Sequence, residues 1–183
     1  MTRTTSPVRR AWVPALFWLA VIAWESSPLA VSEHTAHLLL PILKFFHPQI
    51  TLVQFALAHG ALRKAGHFFG YGVLSLLMLR AWWTTLMLPR WATRLPSWRP
   101  MLRSWSLRAA ASALASTVAV AALDEWHQTF LPGRIGILRD VLLDASAAVC
   151  VQMIVIAFSN VRTMSPLAIG RWPFVEHRPK AHG

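Results

Sequence analysis

The sequence predicts an all-α membrane protein, a polytopic bundle of four transmembrane helices. Three observations lead there. Hydrophobic residues make up 55% of the 183 and charged residues only 14%, whereas a soluble domain carries roughly 25% charged residues; mean hydropathy is +0.45. Four apolar runs approach the about 20 residues that a helix needs to cross a bilayer core. Ten Trp and nine Phe stand against one Tyr, and indole rings settle at the headgroup level of a membrane.

The first run, Ala11–Trp24, follows the basic residues Arg3, Arg9 and Arg10. It has the length of a signal peptide's apolar region. Trp24, Glu25 and Pro28 make a poor small-residue cleavage site, so it is read as a retained helix, extended by Ser26–Ala30 at the interface. Thr35–Ala61 is less apolar and is broken by Pro41, Lys44, His47 and Pro48. It is expected to form an interfacial or re-entrant helix pair. The second span, Ala65–Leu88, has Arg80 near its end, where a long basic side chain can snorkel. The third, Leu107–Leu123, is rich in Ala, Ser and Thr. Small residues let helices approach closely inside a bilayer, so this helix is expected at the centre. The fourth, Val141–Phe158, carries Asp144 near its start and the single cysteine, Cys150, read as a small buried hydrophobe. Residues 1–10 and 161–183 are expected to be tails flanking one transmembrane domain, 11–160.

A net charge of +11 raises nucleic acid as a partner. No basic helix or aromatic-interleaved basic patch supports it, and the basic residues fall between apolar runs. Their bias sets orientation. With the N-terminus in the cytoplasm, the inner segments hold Arg3, Arg9, Arg10, Arg80, Arg90, Arg94, Arg99, Arg103, Arg108, Arg162, Arg171, Arg178 and Lys180. The outer segments hold only Lys44, Arg63, Lys64, Arg134 and Arg139. Both termini are therefore expected on the cytoplasmic side of a cell membrane.

That topology brings Glu25, Glu33, Asp124, Glu125, Asp140 and Asp144, six of the seven acids, to the outer side or its edge. Ionisable groups at a membrane boundary are costly unless paired or hydrated, and count as functional candidates. Lys64, His67 and Tyr71 recur at i, i+3, i+7 and share one helix face. Asp124 and Glu125 share a face with Gln128 if the third helix continues that far. Pro132-Gly133 suits the centre of a type II turn, which would carry Arg134 back toward the acids. A guanidinium fork clamps carboxylate or phosphate bidentately. Asp140 and Asp144 lie i, i+4 at the start of the fourth helix, where Asp140 also suits the helix macrodipole.

These residues resemble the VanZ-like family of membrane proteins. The first block is K-x-x-H-F-x-x-Y-x-x-L, carried by Lys64, His67, Phe68, Tyr71 and Leu74. The second is D-E-x-x-Q-x-F-x-P-G-R followed by an Asp, carried by Asp124, Glu125, Gln128, Phe130, Pro132, Gly133, Arg134 and Asp140. Ser26-Ser27-Pro28 also fits, and the resemblance covers about Trp12 to Val155. Two positions depart: Asp144 stands where the family usually has Asn, and Ala147 and Ala148 where it tends to have Gly. The resemblance implies a cell-envelope role, linked to glycopeptide antibiotic resistance and to membrane enzymes of lipid or polyprenyl headgroups.

The expected function is accordingly an enzyme on a lipid-linked or polyprenyl phosphate headgroup. Lys64 and Arg134, with Tyr71, Gln128 and Asp144, would bind it. His67 would transfer a proton, since imidazole changes charge near neutral pH. Asp124, Glu125 or Asp140 would serve as general base or nucleophile. The alternatives are a non-catalytic binder of envelope precursor or glycopeptide antibiotic, a proton-coupled transporter, and an ion-pair knot that only fixes the helices. No cofactor is expected. Asp124, His127 and Asp140 could ligate an ion, but no HExxH or Cys/His zinc spacing occurs, so no metal is expected. His34, His37, His47 and His59 are read as interfacial or solvent-facing.

Overall fold

A computed structural model describes residues 6–27, 32–88, 94, 97–131 and 136–163. The described residues form helices α1 (Pro7–Glu25), α2 (Ser32–Phe46), α3 (Leu52–Met87), α4 (Trp98–Arg103), α5 (Leu107–Gln128) and α6 (Leu138–Thr163), with no strand among them. The all-α expectation holds, and its element boundaries shift.

Local chemistry sets the helix starts. Ser6 caps α1 by accepting from the Arg9 N–H, with Pro7 in the first turn, where its missing N–H costs nothing. Thr51 and Gln54 form a reciprocal capping box at the start of α3: Gln54 N–H to Thr51 Oγ1 at 3.2 Å, Thr51 N–H to Gln54 Oε1 at 3.0 Å. From that cap α3 runs unbroken for 36 residues. The expected pair over 35–61 is thus one separate helix, α2, followed by the first turns of α3 itself. Pro41 lies inside α2 without ending it, and the break falls at His47–Ile50 instead. In the basic segment between α3 and α5, α4 was not anticipated. It buries Met101, and the Arg80 guanidinium lies 4.4 Å over the Trp98 ring.

The core is built around α3, which packs against α1, α5 and α6 and touches α2 and α4. The central position expected for the small-residue helix α5 belongs to α3. The Ala109, Ala110, Ala113, Thr117 and Ala121 stripe of α5 lets it close onto α3 and α6 while its other side stays outside. Hydrogen bonds from Trp12 to Thr85 and from Trp18 to Gly70 set α1 antiparallel to α3. Trp82 to Ser116 and Tyr71 to Asp124 do the same for α5. Ser75 with Gln152, and His67 with Asp144, set α6 parallel to α3. Direction thus alternates along α1, α3, α5 and α6.

Leu107–Gln128 and Leu138–Ser159 are long and apolar enough to cross a membrane, and only 33% and 28% of their apolar windows is buried within the protein. A core helix of a soluble domain would turn most of that surface inward. Here Leu123, Trp126, Leu142 and Phe158 point outward, as Phe17 does on α1; continuous exposed apolar surface of this kind marks a membrane or a partner. Cys150 shares this outer side of α6. It is therefore not buried as expected, because Ala147, Ala148 and Gln152 take the inward positions.

Candidate functional site

Three helices meet at one end of the bundle: the middle of α3, the last turns of α5 and the first turns of α6. Two rungs join α3 to α6. Arg63 Nη2 lies 3.7 Å from Asp140 Oδ2, and His67 Nδ1 lies 3.6 Å from Asp144 Oδ2. Each helix contributes its pair at i, i+4, so both rungs follow from one parallel register. One turn further along α3, the Tyr71 hydroxyl donates to Asp124 Oδ2 at 3.1 Å, and Gln128 Nε2 donates to the same oxygen at 3.1 Å. The Tyr71 ring stacks on His67, centroids 6.1 Å apart. Beyond them, Gln152 donates to Ser75 Oγ at 3.0 Å, and Ser75 donates to the Ala148 carbonyl at 3.3 Å.

Glu125 is buried on the same α5 turn, and its Oε2 accepts from the Ile137 N–H at 3.0 Å. Gly136 makes that contact reachable. A Cβ there would collide with the Glu125 carbonyl oxygen and would stand 2.6 Å from Thr129 Cγ2. Gly136→Ala is expected to push the chain off the end of α5 and to cost about 1–3 kcal/mol, the usual range for overpacking. Thermal unfolding in detergent reads this; an unchanged midpoint would show that the close approach is dispensable.

Burial grades the charges. The Asp140 side chain is 15% exposed and that of Asp144 is 0% exposed. Neither Asp144 oxygen has a hydrogen-bond partner, nor does Glu125 Oε1 or His67 Nδ1. Unpaired buried polar atoms cost about 1–3 kcal/mol each, more when charged. Asp124 and Glu125 also sit in the last turn of α5, the end of the macrodipole that disfavours anions. These placements work against stability, so an ion-pair knot is a poor account of them.

Of the expected site residues, the structure gathers His67, Tyr71, Asp124, Glu125, Gln128, Asp140 and Asp144. Lys64 is exposed on α3, and Arg63, one residue earlier, makes the contact with Asp140. Arg134, with the Pro132-Gly133 turn, lies outside the described residues. The ion-ligating set of Asp124, His127 and Asp140 is not assembled as such, since His127 is exposed. Another set is: ligand atoms of His67, Glu125 and Asp144 lie within 4.8 Å of one another. Arg63 and the Ser75–Gln152 rung were missed. Arg63 and His67 repeat the i, i+4 spacing of Asp140 and Asp144, and matching the two spacings would have found the first.

A family model described as VanZ/LLP1 matches residues 11–159. No curated protein and no solved structure matches the chain.

Proposed function

The chain belongs to the VanZ/LLP1 family, and on that footing we propose that it is a four-span envelope-membrane protein acting on a lipid-linked phosphate headgroup at the outer face. In this reading α1, the later part of α3, α5 and α6 each cross the bilayer, with both termini cytoplasmic. The alternating helix directions support it. So do Arg80, Arg94, Arg99 and Arg108, basic residues at or between the ends of α3 and α5 opposite the acidic site. The charged residues of α1, Arg9, Arg10 and Glu25, lie at its ends, whereas α3 carries His67, Tyr71 and Arg80, on the bundle side or near the inner end. At 1.5 Å per residue α3 is about 54 Å long, well beyond a hydrocarbon core of about 30 Å. Its first turns and α2 then ride at the outer surface, presenting Phe45, Phe46, Leu52 and Val53 to lipid.

The observation that carries the reading is the convergence of His67, Asp124, Glu125, Asp140 and Asp144 from three helices at one end of the bundle. A lipid headgroup reaches such a site sideways while its chains stay in the bilayer. Arg63, half-exposed beside Asp140, offers a fork for phosphate, with Lys64 the next residue of α3; the part proposed for Arg134 rests on the sequence alone. His67 gives or takes a proton between Asp144 and the substrate. Asp124, whose Oδ2 is oriented by Tyr71 and Gln128, is aimed as base or nucleophile, with Glu125 beside it.

Lipid and envelope-precursor profiling of cells carrying wild type or Asp140→Ala tests this. A severalfold rise in one phosphate-bearing lipid, at equal expression, is the expected result. Profiles of both Asp140→Ala and His67→Ala that match wild type would remove the enzymatic reading.

A further inference from the structure

We propose that His67, Glu125 and Asp144 form a binding site for one divalent transition cation, Zn2+ or Mn2+, through which the headgroup phosphate is held. The metal site stands on the pocket alone; the phosphate bridge rests on the preceding reading, with the cation taking the place given there to the proton between His67 and Asp144.

Geometry comes first. One imidazole and two carboxylates, each from a different helix, bring ligand atoms within 4.8 Å of one another. Bonds of about 2.0–2.2 Å to zinc set ligand atoms about 3.4 Å apart in a tetrahedral site, and His67 Nδ1 to Asp144 Oδ2 is already 3.6 Å. Small side-chain rotations close the rest.

The second observation is independent of spacing. Asp144 is fully buried with neither oxygen hydrogen-bonded, only Oδ2 having the His67 imidazole 3.6 Å away, and Glu125, 4% exposed, has no hydrogen bond at Oε1. The Ile137 N–H occupies Oε2 and leaves Oε1 buried without a hydrogen bond. This is the outer-shell arrangement that orients metal-binding carboxylates.

Charge points the same way. Asp124, Glu125, Asp140 and Asp144 face Arg63 and His67 in this cluster. A phosphate dianion approaching the inner carboxylates would be repelled, whereas a divalent cation neutralises them and supplies a phosphate ligand. Mixed nitrogen and carboxylate donors suit zinc or manganese better than calcium.

The test uses the purified full chain in nanodiscs, stripped with EDTA and dialysed against micromolar Zn2+ or Mn2+. Wild type is expected to retain one equivalent of one of them. Asp144→Asn, Glu125→Gln and His67→Gln are each expected to weaken binding about tenfold or more, while His47→Ala, on the exposed turn before α3, leaves it unchanged. Absence of bound metal from wild type overturns the site whatever the variants do, and so does full retention by all three correctly helical variants. A second arm adds vesicles containing farnesyl phosphate. Metal-dependent binding supports the whole proposal. Metal retention without it leaves the cation site and removes the phosphate bridge. Equal vesicle binding with and without EDTA removes the bridging role and leaves the headgroup reading intact.

Discussion

Replacement of Tyr71 by alanine is expected to cost about 3–5 kcal/mol of stability, the range for deleting a large buried aromatic side chain. Tyr71 is 1% exposed, sits where α3 meets α5, and lies above Leu74 and Ser75, both fully buried. Its ring fills the space beside His67, and its hydroxyl ties α3 to Asp124. Tyr71→Phe separates these roles. It keeps the ring and removes one donor to a carboxylate, a loss of about 1.5–3 kcal/mol for a charge-assisted bond; Gln128 still donates to Asp124 and pulls the loss toward the lower end. Unfolding of the detergent-purified protein, followed by circular dichroism, should therefore rank wild type above Tyr71→Phe and Tyr71→Phe above Tyr71→Ala. Equal loss in the two variants would mean that the hydrogen bond, and not ring packing, holds the helices at this level.

The same residue shows how far the sequence could be read. Tyr71 was visible because it completes an i, i+3, i+7 stripe with Lys64 and His67, and the stripe is real for His67 and Tyr71. Lys64 breaks from it: on a helix that passes between α5 and α6, small rotations decide which polar residue faces the partner, and Arg63 does so instead. The acids of α5 and α6 were legible because carboxylates are rare in this chain and cluster in one stretch. Which acids pair with which basic group was not, because that depends on the parallel register of α3 and α6, set by contacts far apart in sequence such as Ser75 with Gln152. The long reach of α3 was written locally in Thr51 and Gln54, but the polar residues between 54 and 64 obscured it. The outward position of Cys150 was also hidden, since α6 is apolar on both sides and carries little periodicity to mark its inner face.

That pairing decides which carboxylate bears most of the chemistry. Asp140 is tied to a partly exposed arginine, and Asp144 lies deepest, against His67. Asp124 differs from both: a phenol and an amide donate to a single oxygen, Oδ2. Two donors on one oxygen hold the carboxylate in place and leave its other oxygen unengaged by these bonds.

Asp124→Asn is accordingly expected to lower headgroup turnover by about a hundredfold, within the 10²–10⁴ range typical of a positioned acid or base. The substitution preserves shape, and one amide oxygen can still accept from Tyr71, so helix content and unfolding midpoint should stay close to wild type. What it removes is the negative charge, and with it both the basicity and the nucleophilicity of the group. His127→Ala supplies the comparison: it lies on the same turns of α5, is exposed, and should leave turnover unchanged. Turnover can be followed as release of phosphate or headgroup from the lipid that accumulates in the Asp140→Ala cells. If Asp124→Asn turns over normally and Glu125→Gln does not, the essential carboxylate of α5 is Glu125, as base or as ligand of the proposed cation, and metal retention by the Glu125→Gln protein separates the two. If both turn over normally, the carboxylates of α5 take no chemical part, and the step falls to His67 with the α6 carboxylates, Asp140 and Asp144.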